Sequence, residues 1–124
     1  MPPYAFEEQL EIYLRACFTL IVAVTGEEER LMQKVTLVCH KVDRPCLAWD
    51  CADGFIRLAG DGGVPQARDP MTALEQIDKA EDRTLVVLKD FHECWANAQI
   101  KRKLRTLAQR LKFTKKAILV TAPE

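Results

Sequence analysis

Several features that would assign a chemistry to this sequence are missing from it. It has five cysteines but no C-x-x-C pair, and this odd, scattered set favours reduced thiols over a secreted disulfide scaffold. It has no signal-like start, and its longest apolar stretch, residues 18–24, is far too short to cross a bilayer. We therefore expect no membrane span and a location in the cytoplasm, or in the stroma if the source has plastids.

The charges are balanced overall but unevenly placed. The 18 lysine and arginine residues equal the 18 aspartate and glutamate residues, so net charge indicates no class of partner. A length of 124 residues and a hydrophobic content of 48% are typical of one soluble domain with a single core. Residues 100–116 nevertheless contain eight basic side chains and no acidic one, which makes this segment the charged feature to examine for a partner.

Short apolar runs alternate with helical patterns along the chain. This alternation predicts parallel strands joined by right-handed crossovers, and hence a three-layer α/β sandwich with a mainly parallel sheet of about four strands. The predicted strands cover residues 19–24, 46–49, 84–88 and 117–121. Because the first run is apolar on both faces, we expect helices to cover both of its sides. We predict one α/β domain over residues 1–124, and a stop just after the fourth strand indicates a fragment of a longer protein.

Helix starts, one helix face and one loop can be predicted from residue types. The first helix, residues 6–17, is expected to turn Phe6, Leu10, Tyr13, Leu14 and Cys17 inward. Three later helices have capping residues at their starts, namely Thr25 with Glu28 as capping-box partner, Asp69 with Pro70 following, and Asn97. Residues 51–68 contain five glycine or proline residues, so we expect this stretch to be the most mobile, with residues 55–58 as a small hairpin arm.

The turn after the first strand lies where a phosphate-binding loop would lie. A working loop reads G-x-x-x-x-G-K-[ST], and its amide groups and lysine hold the phosphates. Here the turn has one glycine, Gly26, no lysine, and three successive glutamates at residues 27–29. Glutamates repel a polyphosphate but suit the positive end of a helix dipole, so ordinary helix capping is the favoured interpretation.

Two further sets of residues are candidate chemical sites. The strand at residues 85–88 ends in Lys89 and Asp90 where a magnesium-dependent hydrolase would carry an acidic pair, and Asp90, His92 and Glu93 are candidates for acid/base or metal chemistry. The favoured alternative is that Asp90 caps the next turn, with Glu93 as its box partner. Zinc-type ligands are also present, but their spacing matches no closed site: Cys39, His40, Cys46, Cys51, His92 and Cys94. We expect no metal site, and we interpret Cys39 and Cys46 as core thiols.

The helix at residues 98–112 has one apolar stripe and one basic face. The stripe consists of Ile100, Leu104, Leu107, Ala108 and Leu111, and the possible interaction face consists of Lys101, Arg102, Lys103, Arg105, Arg110 and Lys112. Such a face binds phosphate backbones, binds an acidic protein surface, or is simply solvated. The absence of interleaved aromatic residues favours a protein contact over nucleic acid.

Several segments together resemble a known family. They are FEEQLEIYLRACFTLIVAVTGEEE, the Trp49-Asp50 strand end, D-P-M-T-A-L at residues 69–74, L-K-D-F-H at residues 88–92 and R-K-L-R-T-L-A-Q at residues 102–109. In order and spacing these resemble the N-terminal region of the AAA ATPase family found in cyanobacteria, in other bacteria and in algal plastid genomes. The resemblance covers nearly the whole chain.

The resemblance implies a degenerate P-loop-type domain followed by a complete AAA module. It implies strand order 2-3-4-1 among the four predicted strands, a decayed Walker B position at Asp90, and Thr121 near the sensor position. It also implies that ATP and Mg²⁺ belong to the downstream module and that this chain holds no cofactor.

The sequence leaves three functions open. The leading hypothesis is a non-catalytic N-terminal regulatory or interaction domain of an AAA-type ATPase, whose partners are other proteins or its own AAA module. The second is a nucleic-acid-binding module that uses the basic helix at residues 98–112. The third is a small acid/base or metal-dependent enzyme built on Asp90, His92 and Glu93.

Overall fold

A twisted five-stranded sheet lies between two pairs of helices. The structure, a computed structural model, describes residues 5–94 and 96–123. In chain order its elements are α1 (Phe6–Arg15), β1 (Leu20–Val24), α2 (Glu28–Lys41), β2 (Cys46–Asp50), β3 (Gly54–Ala59), α3 (Pro70–Lys79), β4 (Leu85–Lys89), a 3₁₀ turn (Phe91–Cys94), α4 (Ala98–Leu111) and β5 (Ala117–Ala122). No helix within the described ranges is both long and apolar enough to span a bilayer.

The sheet order is β1-β5-β4-β2-β3. The four predicted strands are β1, β2, β4 and β5, all mutually parallel, so the implied order 2-3-4-1 and the α/β class are confirmed. The fifth strand, β3, pairs antiparallel with β2 and contains the predicted hairpin arm. It forms because an Asx turn at Asp50 reverses the chain: Oδ1 of Asp50 accepts the backbone N–H groups of Ala52 and Asp53.

Each face of the sheet is covered by two helices. Helices α1 and α2 bury Leu10, Leu14 and Val35 against one face, and α3 and α4 bury the other, in a cluster that includes Leu74 and Leu107. The predicted inward face of α1 is correct except at its end. Cys17 is exposed because the helix ends at Arg15 and Cys17 adopts a left-handed conformation, with φ of 61°.

Strand β1 differs from its prediction, because it lies at the edge of the sheet and only one of its faces is covered. Ile21 and Ala23 pack on the cluster beneath α1 and α2, whereas Leu20, Val22 and Val24 are exposed. The expectation of helices on both sides was therefore wrong. The other three parallel strands are buried on both faces, as their apolar runs indicate. Each of them is buried at all positions but the last.

Two of the three predicted helix caps are correct. The carboxylate of Asp69 accepts the N–H of Thr72 at 3.0 Å, and the Asn97 side chain accepts the N–H groups of Gln99 and Ile100. The Thr25 capping box is wrong, because α2 begins at Glu28 and its N-cap is Glu27. The backbone N–H of Thr25 instead bonds to the carbonyl oxygen of Ala122, which extends the sheet by one residue.

Arg44 is a buried cation that joins the loops at the amino ends of the parallel strands. It is 7% exposed and donates to the carbonyl oxygens of Leu14, Arg83 and Lys115, at 2.8, 3.0 and 2.6 Å. Burial lowers the pKa of its guanidinium group. These bonds tie the end of α1 to the loops before β4 and β5, and they give the buried guanidinium group hydrogen-bond partners, so Arg44 has a structural role.

Candidate functional site

The carboxyl ends of the four parallel strands meet at one edge of the sheet. In open α/β sheets this edge is where ligands bind. A small cavity of about 150 Å³ lies there, between the turn after β1 and the end of β5. Its lining includes Gly26, Glu28, Asp90 and Thr121, so it brings the turn after β1 next to Asp90, the residue that the resemblance puts at a decayed Walker B position.

Lys89 occupies the centre of this edge and is held by two carboxylates. Its Nζ atom lies 3.5 Å from Oδ2 of Asp50, at the end of β2, and 3.8 Å from Oε1 of Glu28, in the first turn of α2. The Lys89 side chain is only 18% exposed. The ammonium group therefore joins three elements by ion pairs, in the region where a nucleotide-binding fold would hold phosphate and Mg²⁺.

Asp50 is held in its charged form. Desolvation raises the pKa of Asp50, but the N–H groups of Asp53 and Ala52 and the ammonium group of Lys89 together hold that pKa below its ordinary value. The Asp53 and Ala52 bonds measure 2.7 and 2.9 Å. With one oxygen bound to backbone and the other facing Lys89, this carboxylate already has partners for both of its oxygen atoms.

Asp90, His92 and Glu93 lie on the short turn that follows β4. Asp90 is exposed and adopts a left-handed conformation with φ of 57°, His92 is half-buried, and Glu93 is exposed. The turn closes through the backbone, by the N–H of Glu93 on the carbonyl oxygen of Asp90 at 3.2 Å. The contact between these two residues is thus not the predicted side-chain capping box, because the left-handed Asp90 turns the chain directly into a 3₁₀ helix.

The cysteines and histidines do not come together as a ligand set. Cys39 and Cys46 lie in the core, as predicted, while Cys51 is exposed. The hydrogen bond with Cys39, together with burial, raises the pKa of Cys46, which disfavours the thiolate that a metal requires. Within residues 5–94 and 96–123, no group of three or more His, Cys, Asp and Glu side chains is placed to hold a metal ion.

Thr121, which the resemblance puts near a sensor position, is a buried polar group beside the cavity. It is 2% exposed, and its hydroxyl has no hydrogen-bond partner among the described residues. Its neighbours in the cavity lining, Glu28 and Asp90, are acidic, so the site as a whole is poorly suited to an anion.

Helix α4 turns its apolar stripe inward, as predicted. Leu104, Leu107 and Leu111 are buried, and Ile100 and Ala108 are half-buried. Of the six residues of the possible interaction face, five are exposed and Lys103 is half-buried: Lys101, Arg102, Lys103, Arg105, Arg110 and Lys112.

The basic residues of α4 are divided between two sides of the helix. Arg110 faces α3, where its Nη2 atom lies 2.9 Å from Oδ2 of Asp78. Lys101, Arg105 and Lys112 lie on the other side and line a groove of about 330 Å³ between α4 and the start of β1. Of the six cations, Arg110 is thus paired within the domain and three line the groove, an arrangement that sequence periodicity alone does not reveal.

Comparison with known proteins places this fold in a family. Residues 6–124 match the model of the SpoVK-like AAA ATPase N-terminal domain. The chain belongs to this family. This AAA ATPase N-terminal domain is 33% identical over 123 residues to the "Uncharacterized AAA domain-containing protein ycf46" of Guillardia theta, and 34% identical over 119 residues to the protein of the same name from Pyropia yezoensis.

The domain covers only part of these relatives. The aligned residues are 97% and 93% of this chain but 24% of either relative, so the chain spans about a quarter of their length. No solved structure gives a significant match. The family assignment agrees with the resemblance found in the sequence.

Proposed function

We propose that this chain is a non-catalytic N-terminal regulatory and interaction domain of a larger AAA-type ATPase, in the cytoplasm or a plastid stroma. ATP and Mg²⁺ would be bound by a downstream module, and this domain would hold no cofactor of its own. The observation that carries the proposal is the position of Lys89, whose ammonium group is engaged by Asp50 and Glu28 at the edge where phosphate would bind.

The electrostatics of this edge oppose a nucleotide. The three glutamates at residues 27–29 surround the start of α2, where a phosphate-binding loop supplies free amide groups and a lysine. Lys89 does not replace that lysine, because binding phosphate would require it to leave two carboxylates. Those carboxylates would then lie uncompensated beside the added negative charge.

The basic face of α4 is the proposed contact with a partner. Its exposed cations suit an acidic surface, either on the downstream AAA module or on another protein. Nucleic acid is the competing partner, and the pairing of Arg110 with Asp78 reduces the charge available to phosphate backbones. The enzyme alternative at Asp90, His92 and Glu93 gains nothing from the structure beyond their proximity along one turn.

Calorimetry tests the non-catalytic assignment. Purified 1–124, checked for folding by circular dichroism, should give no heat of binding on titration with Mg²⁺-ATP, whereas the longer protein should bind under the same conditions. Micromolar, magnesium-dependent binding by 1–124 would overturn the proposal. Salt-sensitive retention of 1–124 on a nucleic-acid column would favour the competing partner instead.

A further inference from the structure

One face of β1 carries apolar side chains that no described element covers. Leu20, Val22 and Val24 are 38%, 51% and 61% exposed, although each would normally be buried in a strand of this composition. Their register with β5 pairs Leu20 with Ile118 and Val22 with Val120, which belong to the cluster beneath α3 and α4. The exposed side chains therefore lie on the α3/α4 face of the sheet, next to the groove beside α4.

The backbone of the same residues lies at an open edge. The carbonyl oxygen of Thr19 accepts the N–H of Ile118, and the N–H of Thr25 donates to Ala122, so the odd-numbered residues of this segment bond to β5. Because hydrogen-bonding groups alternate sides along a parallel strand, the N–H and C=O groups of Leu20, Val22 and Val24 point away from β5. In the described sheet β5 is the one neighbour of β1, so these groups face the free edge.

The handedness of the crossovers determines what can cover this face. The connection from β1 through α2 to β2 runs across the sheet in one direction, over the α1/α2 face. The connections through α3 to β4 and through α4 to β5 run in the opposite direction, over the α3/α4 face. All three have the same hand, as right-handed crossovers require.

A further parallel strand after β5 has one free parallel neighbour in this sheet, which is β1. A connection from β5 to a strand beside β1 runs across the sheet in the same direction as the connections through α3 and α4. A right-handed connection must therefore place its helix on the α3/α4 face. That helix would lie beside α4 and over Leu20, Val22 and Val24. The topology thus directs the next helix to the face that is uncovered.

We propose that the polypeptide following this domain in the longer protein packs a helix over the exposed face of β1 and then adds a strand parallel to β1. The chain is an N-terminal domain that covers about a quarter of its relatives, so the relatives have ample polypeptide for this purpose. The groove that receives the helix is lined by Lys101, Arg105 and Lys112, which predicts acidic residues on the side of the helix that faces α4. The proposal does not depend on whether the domain is catalytic.

A second copy of the chain is the competing occupant. Antiparallel pairing of two β1 edges would extend the sheet and join the two apolar faces. It would also bring the cationic flank of α4 from each copy to the same face of the joined sheet, with no acidic counterpart in the groove lining. Like charges across an interface oppose association, so the charge pattern favours the downstream segment.

Hydrogen exchange compares the two occupants directly. The amides of Leu20, Val22 and Val24 should exchange rapidly in 1–124 and be protected by about 100-fold or more in the longer protein. Protection of these amides in 1–124, together with a dimer by analytical ultracentrifugation, would overturn the proposal in favour of a second copy. Rapid exchange in the longer protein would overturn it outright.

A substitution in β1, with a matched control, is a second test of the proposal. Val22→Lys should leave the melting temperature of 1–124 unchanged within error and abolish the protection of these amides in the longer protein. Ile56→Lys is the control, since Ile56 is a β-branched residue of similar exposure, 45%, on the opposite edge strand. If both substitutions leave protection in the longer protein intact, no helix covers Val22 and the proposal fails.

Discussion

The Nζ atom of Lys89 lies 3.5 Å from Oδ2 of Asp50, and this contact joins the carboxyl ends of two neighbouring parallel strands. Strand ends at this edge usually present their polar groups to a ligand. Here the same groups neutralise each other, and Glu28 adds a second carboxylate to the Lys89 ammonium group. The ion pairs of Lys89 at this edge therefore stabilise the fold, and the contribution of the pair with Asp50 can be measured by substituting Asp50.

Asp50→Asn tests this ion pair through its pH dependence. The asparagine oxygen can still accept the N–H groups of Ala52 and Asp53, so the substitution removes mainly the attraction to Lys89. We expect the free energy of unfolding to fall by about 0.5–1 kcal/mol at pH 7, as for a partly exposed pair. Urea titrations of both proteins at pH 7 and at acid pH measure the difference.

The direction in which pH changes the effect of this substitution on stability follows from the lowered pKa of Asp50. The pKa of Asp50 is lower in the folded protein than its ordinary value, so its stabilisation is present above the unfolded pKa and is lost as pH falls through the folded pKa. The two proteins should therefore converge in stability as the pH falls below the ordinary pKa of aspartate and Asp50 becomes protonated in the folded state. An equal deficit at both pH values would mean that the asparagine disturbs the turn rather than the charge.

Limited proteolysis tests the mobility predicted for residues 51–68, and the structure narrows the expected cleavage sites. Phe55 and Ala59 are buried in β3, and the indole N–H of Trp49 donates to the carbonyl oxygen of Ala67 at 2.8 Å. Proteinase K should therefore cut first within residues 60–66, where the side chains are mostly exposed. First cuts within β4, with this loop intact, would mean that the core has been misplaced.

Thiol labelling tests the placement of the cysteines. Cys17 and Cys51 are exposed and should react with iodoacetamide in the native protein, whereas Cys39 and Cys46 should react only after unfolding. Burial, and then the nearby Cys51, Glu93 and Asp69, raise the pKa of Cys94, so its labelling should increase steeply between pH 7 and pH 9. Mass spectrometry of the labelled peptides identifies each site, and native labelling of Cys46 would contradict the described core.

The parts of the fold that were predictable from sequence are those fixed by local periodicity. The inward phase of α4 follows from leucines at helical spacing, and the caps at Asp69 and Asn97 act within a few residues of themselves. The strand order came from the family resemblance, since apolar runs alone do not specify which strands are neighbours.

The parts that sequence missed depend on contacts between distant segments. Residues 20–24 have the composition of a central strand, and only the sheet order places them at an edge. Thr25 has the residue type of an N-cap, but its N–H is engaged by Ala122 from β5. Likewise, nothing near Lys89 in sequence indicates that it meets Asp50, although the adjacency of the two strand ends would have been a usable signal once the order was known.

The last prediction concerns α4 and separates its packing from partner binding. Leu107 is 2% exposed in the cluster beneath α3 and α4, so Leu107→Ala should lower the free energy of unfolding by about 2–5 kcal/mol. Replacing Arg102, Lys103 and Arg110 together by glutamine should cost less than about 1 kcal/mol, because the Arg110–Asp78 pair is largely solvent-exposed on the arginine side. Urea unfolding of 1–124 measures both changes.

The same triple variant tests docking when it is placed in the longer protein of which this domain is proposed to be a part. If the outer face of α4 contacts an acidic surface, association with the partner, or of separated domains with each other, should become slower and less dependent on salt. Glutamine at Arg15, Arg30 and Lys41 is the control, because it removes three cations from the opposite layer, each of them paired with a glutamate as Arg110 is with Asp78.

Unfolding of the α4 variant would mean that this face is buried and the helix phase is wrong. If the α4 variant folds normally and its association is unchanged, the outer face of α4 is a solvated surface. If association slows equally in the α4 variant and in the control, the slowing is due to net charge and not to a contact at α4.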